Sequence, residues 1–173
     1  MDDSVPLQWR LRVWTRFLAP CADVWREKTD MAFARQEFRP LMDFRPEDPE
    51  GLRAAVVEGR PGRFRARLWP LGVRWESEIV ESLPGVRFVD RSSNRLFAVY
   101  EHHHLFEPTA DGCRYVDDLL FSPASGLPPK LAARLTEKLF VHRHRQAARH
   151  LPHDPRAMGV SVLRQVLPEE PTD

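Results

Sequence analysis

A chain of 173 residues has the length of one domain and enough of it to bury a core. Lys and Arg number 26 against 25 Asp and Glu, a formal net charge of +1, so overall charge points to neither nucleic acid nor a membrane surface. A charged fraction of 29% and a hydrophobic fraction of 42% are those of an ordinary soluble domain, and no apolar run is long enough to span a bilayer.

The segment Met1-Asp2-Asp3-Ser4 carries neither the basic nor the apolar part of a secretion signal. Cys21 and Cys113 lie far apart without metal-ligand spacing. Reduced thiols in a cytoplasmic protein are therefore expected.

Residues 7–18 alternate. Leu7, Trp9, Leu11, Val13 and Phe17 share one face; Arg10, Arg12, Trp14 and Arg16 share the other, as in a half-buried strand with a basic outer side. Pro20 opens a short helix to about Thr29, and Asp30 can cap a second, Met31 to Phe38. A brief strand is expected near Leu41–Arg45 and another over Leu52–Glu58. Strands then follow at short intervals: Phe64–Trp69, Val73–Glu81, Val86–Arg91, Leu96–Glu107 and Cys113–Phe121, separated by Pro- and Gly-containing turns. From Gly126 to Leu151 the pattern is helical, with Leu127, Leu131, Leu135 and Leu139 at four-residue spacing. Residues 1–151 are expected to form one domain. Residues 152–173, rich in proline and acid, are expected to form a loose tail.

The expected fold class is α+β: a curved antiparallel sheet of about six or seven strands around one long C-terminal helix, with two short helices after the first strand. Such a layout leaves space between sheet and helix, which commonly becomes a cavity.

The strand Leu96–Glu107 is the most telling segment. Tyr100, His102, His104 and Phe106 share one of its faces. If Phe106 pairs with Cys113 across the next hairpin, His102 faces Asp117 and His104 faces Tyr115. Three roles stay open for these imidazoles: mutual satisfaction with Asp117 inside the sheet, anchoring of a ligand, or acid–base chemistry. A metal is a further reading, since two histidines at i and i+2 plus a carboxylate can form a facial ligand set. No further ligand stands at a convincing spacing, so no metal and no cofactor is expected. His103 points to the opposite face. His142, His144, His150 and His153 are expected on the helix surface or beyond it, and Lys130, Arg134, Lys138, Arg145 and Arg149 on its solvated flank. Neither a nucleophile elbow nor a phosphate-cradling glycine loop is present. Trp9, Trp25 and Trp69 read as core.

Several motifs resemble the SRPBCC superfamily, the START-like, helix-grip group that includes lipid-transfer START domains, birch-pollen-allergen-type proteins and aromatic polyketide cyclases. They are Trp75-x-Ser77-x-Ile79-x-Glu81, Phe88-Val89-Asp90, Tyr100-x-His102-x-His104-x-Phe106 and Asp117-x-Leu119-x-Phe121-Ser122-Pro123, within residues 7–151. The match is to a largely uncharacterised bacterial subfamily. Two departures stand out: Tyr100 occupies a position where that subfamily has tryptophan, and the stretch from Asp117 to Pro123 is one residue shorter.

The resemblance implies an apolar cavity for a small or lipid-like molecule. Its expected lining is Trp75, Ser77, Ile79, Tyr100, His102, His104, Phe106, Asp117, Leu119 and Phe121 from the sheet, with Leu131, Leu135 and Leu139 from the helix. A polyketide cyclase- or dehydratase-like enzyme using His102, His104, Asp117 and Tyr100 is the alternative. A protein-interaction module with a filled core is the second. The expected partner is a small hydrophobic ligand, with no nucleic acid and no integral membrane association; a homodimer is left open.

Overall fold

The computed structural model describes residues 7–59, 62–69, 72–92, 94–124 and 126–166. Its elements run β1 (Leu7–Phe17), α1 (Cys21–Lys28), α2 (Met31–Phe38), β2 (Asp43–Pro46), α3 (Pro49–Val57), β3 (Gly62–Trp69), β4 (Val73–Leu83), β5 (Arg87–Ser92), β6 (Phe97–Thr109), β7 (Gly112–Pro123), α4 (Pro129–Ala147) and β8 (His153–Val166). The eight strands form one antiparallel sheet in the order β2-β3-β4-β5-β6-β7-β1-β8. Helix α4 packs on β1 and β7, and α2 packs on α4. This is the helix-grip arrangement the strand and helix order implies.

Local chemistry explains the short helices. Asp30 accepts hydrogen bonds from the backbone N–H groups of Ala32 and Phe33 at 2.7 and 3.1 Å, capping α2. The segment expected as a strand over Leu52–Glu58 is instead α3. Asp48 caps it through Gly51 N–H at 2.9 Å, Pro49 sits in its first turn, and Leu52, Ala55 and Val56 bury one face.

Two further expectations are corrected. The segment after residue 151 is not a loose tail, because β8 pairs with β1 from Leu7↔Val166 to Phe17↔His153. Residues 167–173 of the expected tail lie outside the described residues. Cys21 and Cys113 are not free thiols but form a disulfide joining the start of α1 to the start of β7, their Cα atoms 4.9 Å apart.

The interior face carries two apolar clusters. One gathers Phe17, Trp25, Phe33, Val56, Phe88, Phe106 and Tyr115; the other gathers Leu11, Val13, Trp75, Phe97, Tyr100, Leu119, Phe121 and Phe140. Each fully buried side chain of this size contributes about 1.5–3 kcal/mol. Along β6 the two imidazoles lie between Tyr100 of one cluster and Phe106 of the other. Trp25 is core, as its helix pattern implies, whereas Trp9, expected in the core, is half-buried against the second cluster. The side chain of Trp69 lies outside the described positions. The basic outer face of β1 is charge-paired: Arg10 and Arg12 meet Asp118, and Arg16 meets Asp154.

Candidate functional site

Strands β5, β6 and β7 set the site by their register. Phe88 pairs with His104 and Asp90 with His102; on the other side His104 pairs with Asp117, His102 with Leu119 and Phe106 with Tyr115. The β6–β7 hairpin therefore differs by two residues from the expected pairing of Phe106 with Cys113. The strands extend further into the turn, and Thr109 pairs with Gly112 around Ala110-Asp111. A shift of two keeps every side chain on its face. Both contacts survive along the diagonal: His102 Nε2 donates to Asp117 Oδ1 at 3.0 Å, and His104 Nδ1 lies 2.8 Å from the Tyr115 hydroxyl.

Asp117 is the hub beneath the site and has no exposed surface. Besides His102, its Oδ1 accepts from Tyr115 Oη at 2.5 Å and Arg143 Nη1 at 3.1 Å, and its Oδ2 accepts from His144 Nε2 at 3.1 Å. Burial opposes its charge, but the Arg143 guanidinium and the hydrogen bonds from His102 and His144 hold its carboxyl well below the usual carboxylate range. Arg143 Nε also donates to Glu37 Oε2 at 2.8 Å, and Lys28 Nζ donates to Glu37 Oε1 at 2.5 Å. Lys28 and Arg143 thus balance Glu37 and Asp117.

Asp90 faces the imidazoles from β5. Its Oδ2 is 3.2 Å from His104 Nε2 and 3.5 Å from His102 Nδ1, and its Oδ1 accepts from Ser77 Oγ at 2.9 Å. Burial, and then the neighbouring His102, push His104 down to about 3, so it is neutral at ordinary pH. His104 stacks on Phe88 with ring centroids 3.7 Å apart, and the edge of His102 meets Phe140.

A cavity of about 370 Å³ opens above this cluster. Trp75, Ile79, Phe88, Phe97 and Tyr100 wall it from the sheet; Met31, Ala34 and Phe38 from α2; Leu52 and Val56 from α3; Ala132, Leu135, Thr136, Leu139 and Phe140 from α4. Asp90, His102, His104, Lys28 and Arg143 form its polar part. The hydroxyl of Tyr100 has no hydrogen bond from the described residues. Burial, then the charges of Asp90 and Asp117, raise its ionisation well above the ordinary tyrosine value, so it stays a neutral donor.

Of the expected lining, Trp75, Ile79, Tyr100, His102, His104, Leu135 and Leu139 border the cavity. Ser77 and Asp117 lie behind the histidines and Asp90 as hydrogen-bond partners, while Phe106, Leu119 and Phe121 are packed in the core. Leu131 is 48% exposed and does not line the space. The helix instead presents Ala132, Thr136, Phe140, Arg143, His144 and Ala147 inward. Small residues let α4 approach the sheet, which turns the leucine row toward the cavity mouth and solvent. His144, expected on the surface, is fully buried. The sequence pattern assigns no role to Asp90, Arg143, Lys28 or Glu37: Asp90 lies in the Phe88-Val89-Asp90 motif, but only the β5–β6 pairing brings it to the histidines.

Residues 15–151 match the family model described as a domain of unknown function, DUF8410. The chain belongs to that family. No curated protein matches this DUF8410 chain. Solved structures similar to it show the START-like fold. A START superfamily protein from Mycobacterium smegmatis superposes with a TM-score of 0.62 at 12% identity, over 83% of this chain and 97% of that one. CV1439 from Chromobacterium violaceum gives 0.58 at 15% identity, over 84% and 99%. The di-domain ARO/CYC protein StfQ, from the steffimycin biosynthetic pathway, gives 0.59 at 16% identity, over 82% of this chain and 50% of that one. At such identities the likeness concerns the fold. No helix among the described residues is long and apolar enough to cross a membrane.

Proposed function

We propose that this chain binds a small, largely apolar molecule bearing an oxygen function, held in the cavity between the sheet and α4. The observation that supports this is the cavity itself: about 370 Å³ walled by aromatic and aliphatic side chains, with its few polar groups gathered at the imidazole cluster. The apolar walls would supply burial at about 25 cal/mol per Å². The Tyr100 hydroxyl would orient a carbonyl, hydroxyl or carboxylate group. An open interior runs against the alternative of an interaction module with a filled core.

Native mass spectrometry of freshly purified protein tests the reading. A co-purified organic mass is expected, lost in Ala132→Leu, which pushes three extra carbon atoms into the cavity wall. Retention of the same mass by a folded Ala132→Leu protein would count against the cavity as its seat.

A second reading is favoured by one contact. Asp117 holds His102 through Nε2, and His102 Nδ1, 3.5 Å from Asp90 Oδ2, would serve as a base oriented by a carboxylate. With Tyr100 as a donor to a carbonyl, the pair fits a cyclase- or dehydratase-like reaction, and StfQ, similar in fold, is described as an ARO/CYC protein. Loss of turnover in His102→Ala with ligand binding intact would support it; unchanged turnover would reject it.

A further inference from the structure

The hydrogen bonds of the imidazole cluster fix where its protons sit. Asp117 is ion-paired with Arg143 Nη1 at 3.1 Å and accepts only, so the Tyr115 hydroxyl donates to Asp117 Oδ1 and His102 donates from Nε2 to the same oxygen. The Tyr115 oxygen is then left to accept, and His104 donates to it from Nδ1. In neutral rings these assignments leave His102 Nδ1 and His104 Nε2 without protons. Both bare nitrogens face Asp90 Oδ2, at 3.5 and 3.2 Å. Two bare nitrogens thus face one carboxylate oxygen, and neutral rings put no proton between them.

Charge leads to the same place. Lys28 and Arg143 are spent on Glu37 and Asp117, whereas Asp90 has no Lys or Arg partner among the described residues. A buried carboxylate needs a compensating cation.

We propose that Asp90, His102 and His104 form a site for one divalent transition-metal ion. Their three ligand atoms lie within 4.8 Å of one another, all three residues are buried, and all border the cavity. Donor atoms about 2.0–2.2 Å from an ion stand about 3 Å apart around it, close to the separations from Asp90 seen here. Each ligand is also oriented from behind: His102 by Asp117, His104 by Tyr115, and Asp90 by Ser77, which in turn accepts from Ser92 Oγ at 2.7 Å. Such outer partners are a mark of metal sites. Imidazole and carboxylate donors with positions left open suit zinc, iron or cobalt rather than calcium or magnesium. The open side faces the cavity, where an oxygen of a bound molecule could reach the ion. The sequence pattern pointed to the two histidines with Asp117; the geometry makes Asp117 the support and Asp90 the ligand.

The inference does not depend on the binding proposal, since the ion alone is the probe. Full-length protein is stripped with a chelator and titrated with Co(II) and Zn(II) by visible absorption and calorimetry. One equivalent per chain is expected, with the d–d bands of bound cobalt. Tenfold or greater weakening is expected in folded Asp90→Asn and His102→Gln proteins, and about 10–100-fold weakening in Ser77→Ala. Where a ligand variant does not fold, histidine ring NMR of the wild type decides: Zn(II) must shift His102 and His104, not His103, His142, His150 and His153. Absence of stoichiometric binding, binding undisturbed in the variants, or shifts confined to the surface histidines would each overturn the site. An organic ligand found without metal binding would leave the cavity reading standing alone.

Discussion

Arg143 does the most at the scale of single residues. It is 3% exposed and bridges α2 to β7 by donating to Glu37 and Asp117, with its guanidinium 5.2 Å from the Phe38 ring centroid. Breaking a buried pair leaves an uncompensated charge, and here Asp117 would lose its cation while Glu37 keeps only Lys28. Arg143→Met is therefore expected to cost about 3–5 kcal/mol in urea unfolding. Arg10→Met is the control, because Arg10 is 43% exposed in its pair with Asp118 and should cost less than about 1 kcal/mol. Equal losses in the two variants would refute the claim that burial sets the cost. Nothing in the sequence marks Arg143 apart from its neighbours. It stands among Lys138, Arg145 and Arg149, and only the rotation of α4 decides which cations meet solvent.

At the scale of elements, what could be read depended on how local the cause is. The β6 face was legible because a strand's period of two is exact, and even a two-residue difference in hairpin register left Tyr100, His102, His104 and Phe106 together. The Asp30 cap and its helix were legible for the same local reason. The inward face of α4 was not. Leucine rows usually mark the core face, but here Ala132, Thr136 and Ala147 pack closely and Leu135 stays 54% exposed at the cavity mouth. Strand β8 was hidden by flanking prolines and by apolar residues left exposed on both of its faces: Val160, opposite Val13, and Leu163, opposite Arg10, are 39% and 55% exposed. Yet it covers the whole of β1. At Gly159 a Cβ atom would fall 1.8 Å from Trp14 Cζ2, so the indole lies against bare backbone. A chain ending at Pro152 should thus expose β1 as a long, apolar edge and self-associate. Size-exclusion chromatography of that truncation is expected to show aggregate in place of the full chain's peak. A well-folded species with the full chain's behaviour would show that β8 is dispensable and that the boundary at residue 151 is real.

The whole molecule stores much of its polar chemistry in one buried network, and this fixes how it should respond to acid. His144 acts with the same sign as His104, which is pushed down to about 3. His144 Nε2 donates to Asp117 and its Nδ1 lies 2.9 Å from the Thr15 hydroxyl, which can donate to it, so the neutral ring is fully satisfied. Burial first, against the pull of Asp117 and with the push of Lys28 and Arg143, lowers its ionisation below the ordinary histidine value of 6.5. The unfolded chain binds a proton there near pH 6.5 while the folded chain does not. Stability should accordingly be level above about pH 7 and fall as pH drops below 6.5, by up to about 1.4 kcal/mol per pH unit for this group. Asp117, paired with Arg143, is held low in the folded state, so the stability it confers is present at neutral pH and is lost only below about pH 4. The two effects add in the same direction but separate along the pH axis. His144→Gln keeps an amide donor for Asp117 and an acceptor for Thr15 while removing the titration. Urea midpoints of chelator-treated protein between pH 7.5 and 4.5 are expected to fall less steeply in that variant than in the wild type. Parallel slopes would mean that His144 has no share in the acid response.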